Sequence, residues 1–289
     1  MTRAATRPLD TSTIGGALEE SRRRLVGLSQ TPWLDARILL GHVTGLDASA
    51  IVAYGDHRLD SRRRAHLFAL VARRAAGEPV AYLVRSKEFC GLRFVVDRRV
   101  LVPRPETEEL VLAVVADWRG KSAEIVELGT GSGAVACALA HMLPLASITA
   151  TDSSTDALAV ARENVDALTL ADRVTLVHGD LFAALAPGER YDAIVANLPY
   201  VTEGDPELHQ NVRAHEPPEA LFGGQDGLAV YRRMFAVAPQ RLRDEGRIYC
   251  ECGPATAAGL AQIARAAFGD RDVQVRTDSA GRERMVIVA

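Results

Sequence analysis

The sequence predicts a mixed α/β protein in which a helical N-terminal part precedes a parallel sheet covered by helices. Two observations predict the sheet, and a third the helical part. Beyond Gly120, short apolar runs alternate with amphipathic stretches of helical period, as a parallel sheet with helical crossovers requires. One of these junctions is glycine-rich, "VELGTGSGAV". Before residue 77, by contrast, the apolar residues recur only at helical spacing.

In chain order, Leu18, Leu25 and Leu28 mark a first helix, Leu34, Ile38 and Leu39 a second, and Leu67, Leu70 and Val71 a third. Asp60 and Ser61 suit the cap of the third, and Gly77 with Pro79 stops it. "EFCGLRFVV" and "RRVLVP" are short and β-branched, broken by Gly91, and read as a hairpin or ribbon. "PRPETEELVLAVVADW" opens a helix, with Pro105 in the first turn and Glu106, Glu108 and Glu109 at its positive end. "AEIVEL", "SITATD", "RVTLVHGD", "YDAIVAN" and "GRIYCEC" are strands, and "GAVACALAHML", "DALAVARENVDAL" and Val230 to Leu242 are helices. The tail "VQVRTDSAGRERMVIVA" reads as two alternating runs about a glycine turn, an antiparallel hairpin at the sheet edge.

Composition narrows the function classes. The chain has 289 residues, 48% apolar and 25% charged, with 34 Lys and Arg against 37 Asp and Glu for a net charge of -3. That balance does not suit a protein held mainly by nucleic-acid phosphates. The Arg22–Arg24 and Arg62–Arg64 runs read as solvated helix faces. Cys90, Cys137, Cys250 and Cys252 are too scattered for a disulfide framework, and Cys250 and Cys252 lack a second ligand pair at zinc spacing. "MTRAATRPLDTST" has no signal-like apolar core, and no apolar run reaches membrane-spanning length, so a cytoplasmic protein is expected.

The chemistry gathers at strand ends. Gly129, Gly131 and Gly133, with Thr130 and Ser132 between them, permit a tight turn and close ligand approach at a helix N-terminus. About twenty residues on, Asp152 ends the next strand, where a carboxylate can accept from a ribose diol. A dinucleotide and S-adenosylmethionine both fit this pairing. Glu127 favours the latter, because it would attract a cationic methionyl end and repel a pyrophosphate. Asp180 could accept from an adenine amine, with Leu181 and Phe182 packing on the ring, although Phe182 equally suits the core.

The fourth strand stops at Asn197-Leu198-Pro199-Tyr200. In an open α/β sheet this end lies beside the glycine loop. The Asn197 oxygen and the Leu198 carbonyl can accept both N–H groups of a planar NH₂, and Pro199 keeps Leu198 extended. Tyr200 offers a flat face to a planar group. Those acceptors stabilise a nitrogen that gains positive charge during methyl transfer. No metal ligands and no nucleophilic serine or cysteine are required.

"VLVPRPETEEL", "ELGTGSGA", "ANLPYV" and "HEPPEALFGGQDGL", with "GEPVAYLVRSKEFCGLRF" and "AGRERMVIV", together resemble the HemK/PrmC family over nearly the whole chain. The resemblance implies a Rossmann-like class I S-adenosylmethionine-dependent methyltransferase domain over residues 105–289, a helical substrate-docking domain over 1–85 and a connecting β-hairpin over 86–104. It implies methylation of the glutamine side-chain amide nitrogen (N5) in the Gly-Gly-Gln loop of class I peptide chain release factors, with S-adenosylhomocysteine as product. Neither a membrane nor stable nucleic-acid binding is expected.

By the same likeness Gly129, Thr130, Gly131, Ser132, Gly133, Asp152 and Leu181 would hold the cofactor, and the strand-end reading adds Asp180 and Asn197. Asn197, Leu198, Pro199 and Tyr200 would hold the glutamine. Leu198 departs from the family's usual proline, Leu181 from an aromatic, and Cys90 from an aromatic before the glycine. Arg104 and Glu106 either shape a lid or pair with each other, and Glu216 either approaches substrate or caps a loop. The tetrapeptide also occurs in adenine N6-methyltransferases of RNA, and related ones in those of DNA. That leaves adenine methylation as the alternative, and a noncatalytic cofactor-binding scaffold as a more distant one.

Overall fold

The computed structural model describes residues 10–206 and 208–289. Most of the N-terminal stretch read for a signal lies outside them. The chain divides into two units, one ending at Arg85 and one starting at Ser86.

The first unit is helical: α1 (Ile14–Leu25), α2 (Pro32–Thr44), α3 (Ala48–Ala53), α4 (Ser61–Ala75) and α5 (Val80–Val84). Asp60 caps α4 by accepting from the Arg63 N–H at 2.9 Å. Leu28 lies beyond α1, exposed, after Gly27 at φ 78°. In α2, Leu39 is buried but Leu34 and Ile38 face outward. The buried face is instead set by Asp35, Ala36, Leu39 and Leu40. Asp35 is 5% exposed and binds Arg74 of α4 at 2.6 Å. That buried ion pair rotates the helix away from the face that apolar spacing alone selects.

The second unit opens with a hairpin, β1 (Lys87–Phe89) against β2 (Leu92–Phe94), turning at Cys90 and Gly91, both left-handed at φ 49° and 73°. "RRVLVP" is a loop rather than a strand. Its Val102 N–H goes to the Glu216 carboxylate at 3.0 Å instead of to a neighbouring strand.

There follow α6 (Pro105–Trp118), β3 (Ala123–Leu128), α7 (Ala134–Met142), β4 (Ala146–Asp152), α8 (Thr155–Ala167), β5 (Val174–His178) and β6 (Tyr191–Ala196). The chain continues through α9 (Gln210–His215), α10 (Ala229–Arg241), β7 (Leu242–Glu251), α11 (Pro254–Phe268), β8 (Val273–Thr277) and β9 (Glu283–Val288).

Sheet order is β5-β4-β3-β6-β7-β9-β8. The strands from β5 to β7 are parallel, and β9 runs antiparallel to both neighbours. The order reverses between β3 and β6, where Leu128 pairs Ala196. The crevice at this reversal is where a ligand site is expected.

Besides the short α3 and α5 of the first unit, two helices of the second were not anticipated. The buried face of α11 is mostly alanine (Ala257, Ala261 and Ala264 with Leu260), so its apolar period is faint, and α9 has only six residues. In the tail, β9 lies inside the sheet with β8 as the edge, so its last four residues are buried without alternation.

Candidate functional site

A cleft of about 230 Å³ opens at the carboxyl ends of β3, β4 and β6. The glycine loop forms one wall. Gly129 and Thr130 donate to the Thr151 carbonyl at 2.9 and 3.0 Å, which pins the loop to the end of β4. Gly129 and Gly131 both have positive φ, 73° and 54°, a conformation costly for other residues. A Cβ on Gly131 would meet nothing within 4 Å, leaving the cleft wall open there, whereas one on Gly129 would come 3.0 Å from Leu198 Cδ2. Gly133 does a different job. It sits at φ 77° against Ala161 of α8, where a Cβ would come within 3.2 Å, and it is absent from the cleft lining.

Asp152 stands at the rim with Oδ2 accepting the Gly131 N–H at 2.8 Å and Oδ1 the Ser154 N–H at 2.9 Å. Each oxygen keeps a second lone pair for a ligand hydroxyl. Burial raises its pKa, the Ser154 and Gly131 N–H groups pull it back, and the charge of Glu219 adds to the rise.

Glu127, 3% exposed, lies at the floor. Its Oε2 accepts from the Thr130 hydroxyl at 2.6 Å and the Ala136 N–H at 3.1 Å. Burial nevertheless pushes its carboxyl up to about 8, with those hydrogen bonds opposing and Asp152 assisting. A buried carboxyl that a cation would ionise, an open glycine cradle and a rim carboxylate together fit the amino-acid end and the ribose of S-adenosylmethionine. That ligand would lie between Gly129–Ser132, Glu127 and Asp152.

At the adenine end the expectations need revision. Asp180 and Leu181 both line the cleft, but Asp180 is engaged in an ion pair with Arg233 of α10. Leu181 turns at φ 51°. Phe182 is 3% exposed and belongs to the core beneath α10, so it does not pack on a ligand ring. The positive φ at Leu181 turns the next side chain inward.

The tetrapeptide forms the opposite wall. Asn197, Leu198 and Pro199 line the cleft, and Tyr200 does not. Asn197 Nδ2 donates to Thr107 Oγ1 of α6 at 3.2 Å, leaving its carbonyl oxygen as the acceptor. The Leu198 N–H donates to the Tyr231 hydroxyl at 3.2 Å, and that hydroxyl donates to the Glu251 carbonyl at 2.5 Å. Leu198 is thereby anchored in the core at 3% exposure. Tyr200 donates to Glu251 Oε1 at 3.1 Å.

Arg104 and Glu106 do not pair with each other at the helix start. Arg104 binds Glu216 at 2.6 Å, and Glu106 faces Arg282 at 3.5 Å. Glu216, buried at 3%, takes the Val102 N–H with its other oxygen. It thus ties together two lining segments, 100–104 and 217–220.

The sequence reading missed Thr107 and Glu251. Thr107 sat within a quoted segment without a role. The signal for Glu251 was a carboxylate at the end of the otherwise apolar run "IYCEC".

Residues 16–84 match the family model described as the PrmC N-terminal domain, and residues 107–215 match the methyltransferase small domain. The chain is 42% identical over 275 residues to the release factor glutamine methyltransferase of Moorella thermoacetica, covering 94% of this chain and 96% of that one. To the release factor glutamine methyltransferase of Rhodopirellula baltica it is 39% identical over 264 residues, 89% of each.

Among solved structures, a methyltransferase from Pyrococcus furiosus superposes with a TM-score of 0.53 at 18% identity, covering 79% of this chain and 98% of that one. A 16S rRNA methyltransferase from T. thermophilus, solved with AdoMet and guanosine, gives 0.51 at 19%, covering 70% and 49%. These distant likenesses carry the methyltransferase fold. Near-full-length identity of about two residues in five carries more, and by it this chain belongs to the family of release factor glutamine methyltransferases.

Proposed function

We propose that this chain transfers a methyl group from S-adenosylmethionine to the side-chain amide nitrogen (N5) of the glutamine in the Gly-Gly-Gln loop of class I peptide chain release factors. The observation that carries the proposal is the meeting of the glycine loop and Asn197 at one crevice, with the Asn197 amide oriented by Thr107.

When bound, the cofactor supplies an electrophilic methyl group. The chain's own part is to hold the acceptor nitrogen about 3 Å from that carbon with its lone pair aimed at it. Asn197 Oδ1 and the Leu198 carbonyl take the two N–H groups. Pro199 keeps Leu198 extended, and the Tyr231 bond keeps it from shifting. Both acceptors bind the nitrogen more tightly as it gains positive charge, which lowers the barrier rather than merely holding the ground state. A substrate that acts in translation places the work in the cytoplasm. Among the described residues no helix is long and apolar enough to cross a membrane.

The test is methyl transfer from labelled S-adenosylmethionine to a class I release factor, its Gln→Ala loop mutant, ribosomal RNA, transfer RNA and duplex DNA. Label on the intact factor and none on the loop mutant is expected. Label on nucleic acid alone would mean that the tetrapeptide holds adenine.

A further inference from the structure

Behind the tetrapeptide lies a second cavity of about 240 Å³. Leu101, Arg104, Asn197, Leu198 and Ala220 line both spaces, which adjoin there, while Tyr200, Val201, Leu221 and Glu251 line the second alone. Glu251 ends β7, one residue beyond the Cys250–Ala196 pair, and so lies beside Asn197. It is 3% exposed. The Tyr200 hydroxyl donates to its Oε1 and the Thr107 hydroxyl also bonds the carboxyl group, yet its Oε2 is the single buried side-chain polar atom without a partner of good geometry among the described residues. Leaving such an atom unpaired is costly, and a native fold that keeps one calls for an explanation.

We propose that the second cavity receives the acceptor glutamine side chain and that Glu251 Oε2, as a carboxylic acid, donates a hydrogen bond to the glutamine amide oxygen. This rests on the glutamine reading above. An amide presents three groups in one plane, two N–H donors and one oxygen. Asn197 Oδ1 and the Leu198 carbonyl answer the donors. The oxygen needs a donor, and Asn197 Nδ2 and the Leu198 N–H are already committed to Thr107 and Tyr231. The aliphatic side chains of Val201 and Leu221 suit the two glutamine methylenes. Burial raises the Glu251 pKa and favours the protonated donor, as does the charge of Glu106 on α6. The hydroxyls of Thr107 and Tyr200 and the charge of Arg284 on β9 pull the other way.

The experiment compares the full-length wild type with Glu251→Ala and Glu251→Gln. It measures kcat/KM for a class I release factor, S-adenosylhomocysteine affinity by calorimetry and the thermal midpoint. Gln at 251 keeps both an acceptor for Tyr200 and an N–H donor. Expected is a fall of about thirtyfold in kcat/KM for the alanine variant, the scale of one buried hydrogen bond to substrate. The glutamine variant should stay within about fivefold of wild type, and cofactor affinity within about threefold in both. The inference is overturned if alanine is tolerated, if glutamine fails as badly as alanine, or if cofactor affinity or the thermal midpoint drops together with turnover. Wild-type enzyme that leaves the release-factor glutamine unlabelled overturns both the inference and the function beneath it. Labelled wild type with an active alanine variant overturns the Glu251 assignment alone.

Discussion

The Asn197 side-chain amide donates to the Thr107 hydroxyl at 3.2 Å across 90 residues of sequence. This bond decides which end of the amide is left to accept. Replacing Asn197 with Ala should lower turnover about a hundredfold or more, the scale of losing an acceptor used mainly in the transition state. Calorimetry should find S-adenosylhomocysteine affinity within about threefold of wild type. Thr107→Val should lower turnover about tenfold by freeing the amide to flip, and Thr107→Ser should restore most of it. Near-wild-type turnover for Asn197→Ala would remove the tetrapeptide from the mechanism.

Leu198→Pro keeps the carbonyl and loses the N–H that reaches Tyr231. The expected cost is about 1 kcal/mol of stability for that hydrogen bond, read from urea unfolding, with turnover inside about tenfold. A drop of several orders of magnitude would show that the 198 carbonyl is not the acceptor.

Glu127, with its carboxyl pushed up to about 8 from 4.5, is mostly protonated at neutral pH in the free chain. Its folded pKa lies above its unfolded value, so the folded state binds the extra proton. This group therefore withdraws stability from the cofactor-free protein as pH rises from about 4.5 toward about 8. A cationic ligand ionises it and expels the proton. Calorimetry at pH 7 in buffers of different ionisation enthalpy should register proton release on cofactor binding. Glu127→Gln should abolish that release, and an unchanged release would place the cation elsewhere.

Glu216 holds Arg104 with one oxygen and the Val102 N–H with the other. Removing the carboxylate by Glu216→Ala leaves a backbone donor unmet, while Arg104, with 34% of its side chain exposed, can turn to water. A loss of about 2 kcal/mol is expected in urea unfolding, below that for a fully buried pair. The cofactor KM should rise as well, since the two tied segments line the cleft. Glu216→Gln should cost about half as much, because it still accepts from Val102.

Much of the fold was legible because its signals are local. The strands from β3 to β7 announced themselves as short apolar runs between turn residues, and the glycine loop as three positions where only glycine keeps the turn relaxed. The unread parts have physical reasons. An alanine face hid α11. A buried Asp35–Arg74 pair overrode the apolar spacing in α2. A carboxylate supplied the Val102 amide with the partner that a strand reading of "RRVLVP" took for granted.

The sequence by itself determined the order of strand, loop and helix, the left-handed glycine turns, the rim carboxylate at Asp152 and the tetrapeptide after β6. Each of these depends on residues within a few positions of one another, where side-chain period and backbone sterics suffice. Tertiary structure alone decided that the Asn197 amide donates to Thr107, that Glu216 joins Arg104 across 112 residues, and that Glu251 is buried beside Tyr200 with one oxygen unpaired. Those are properties of packing. A hydrogen bond between distant segments exists only once the sheet has fixed both ends at the same depth.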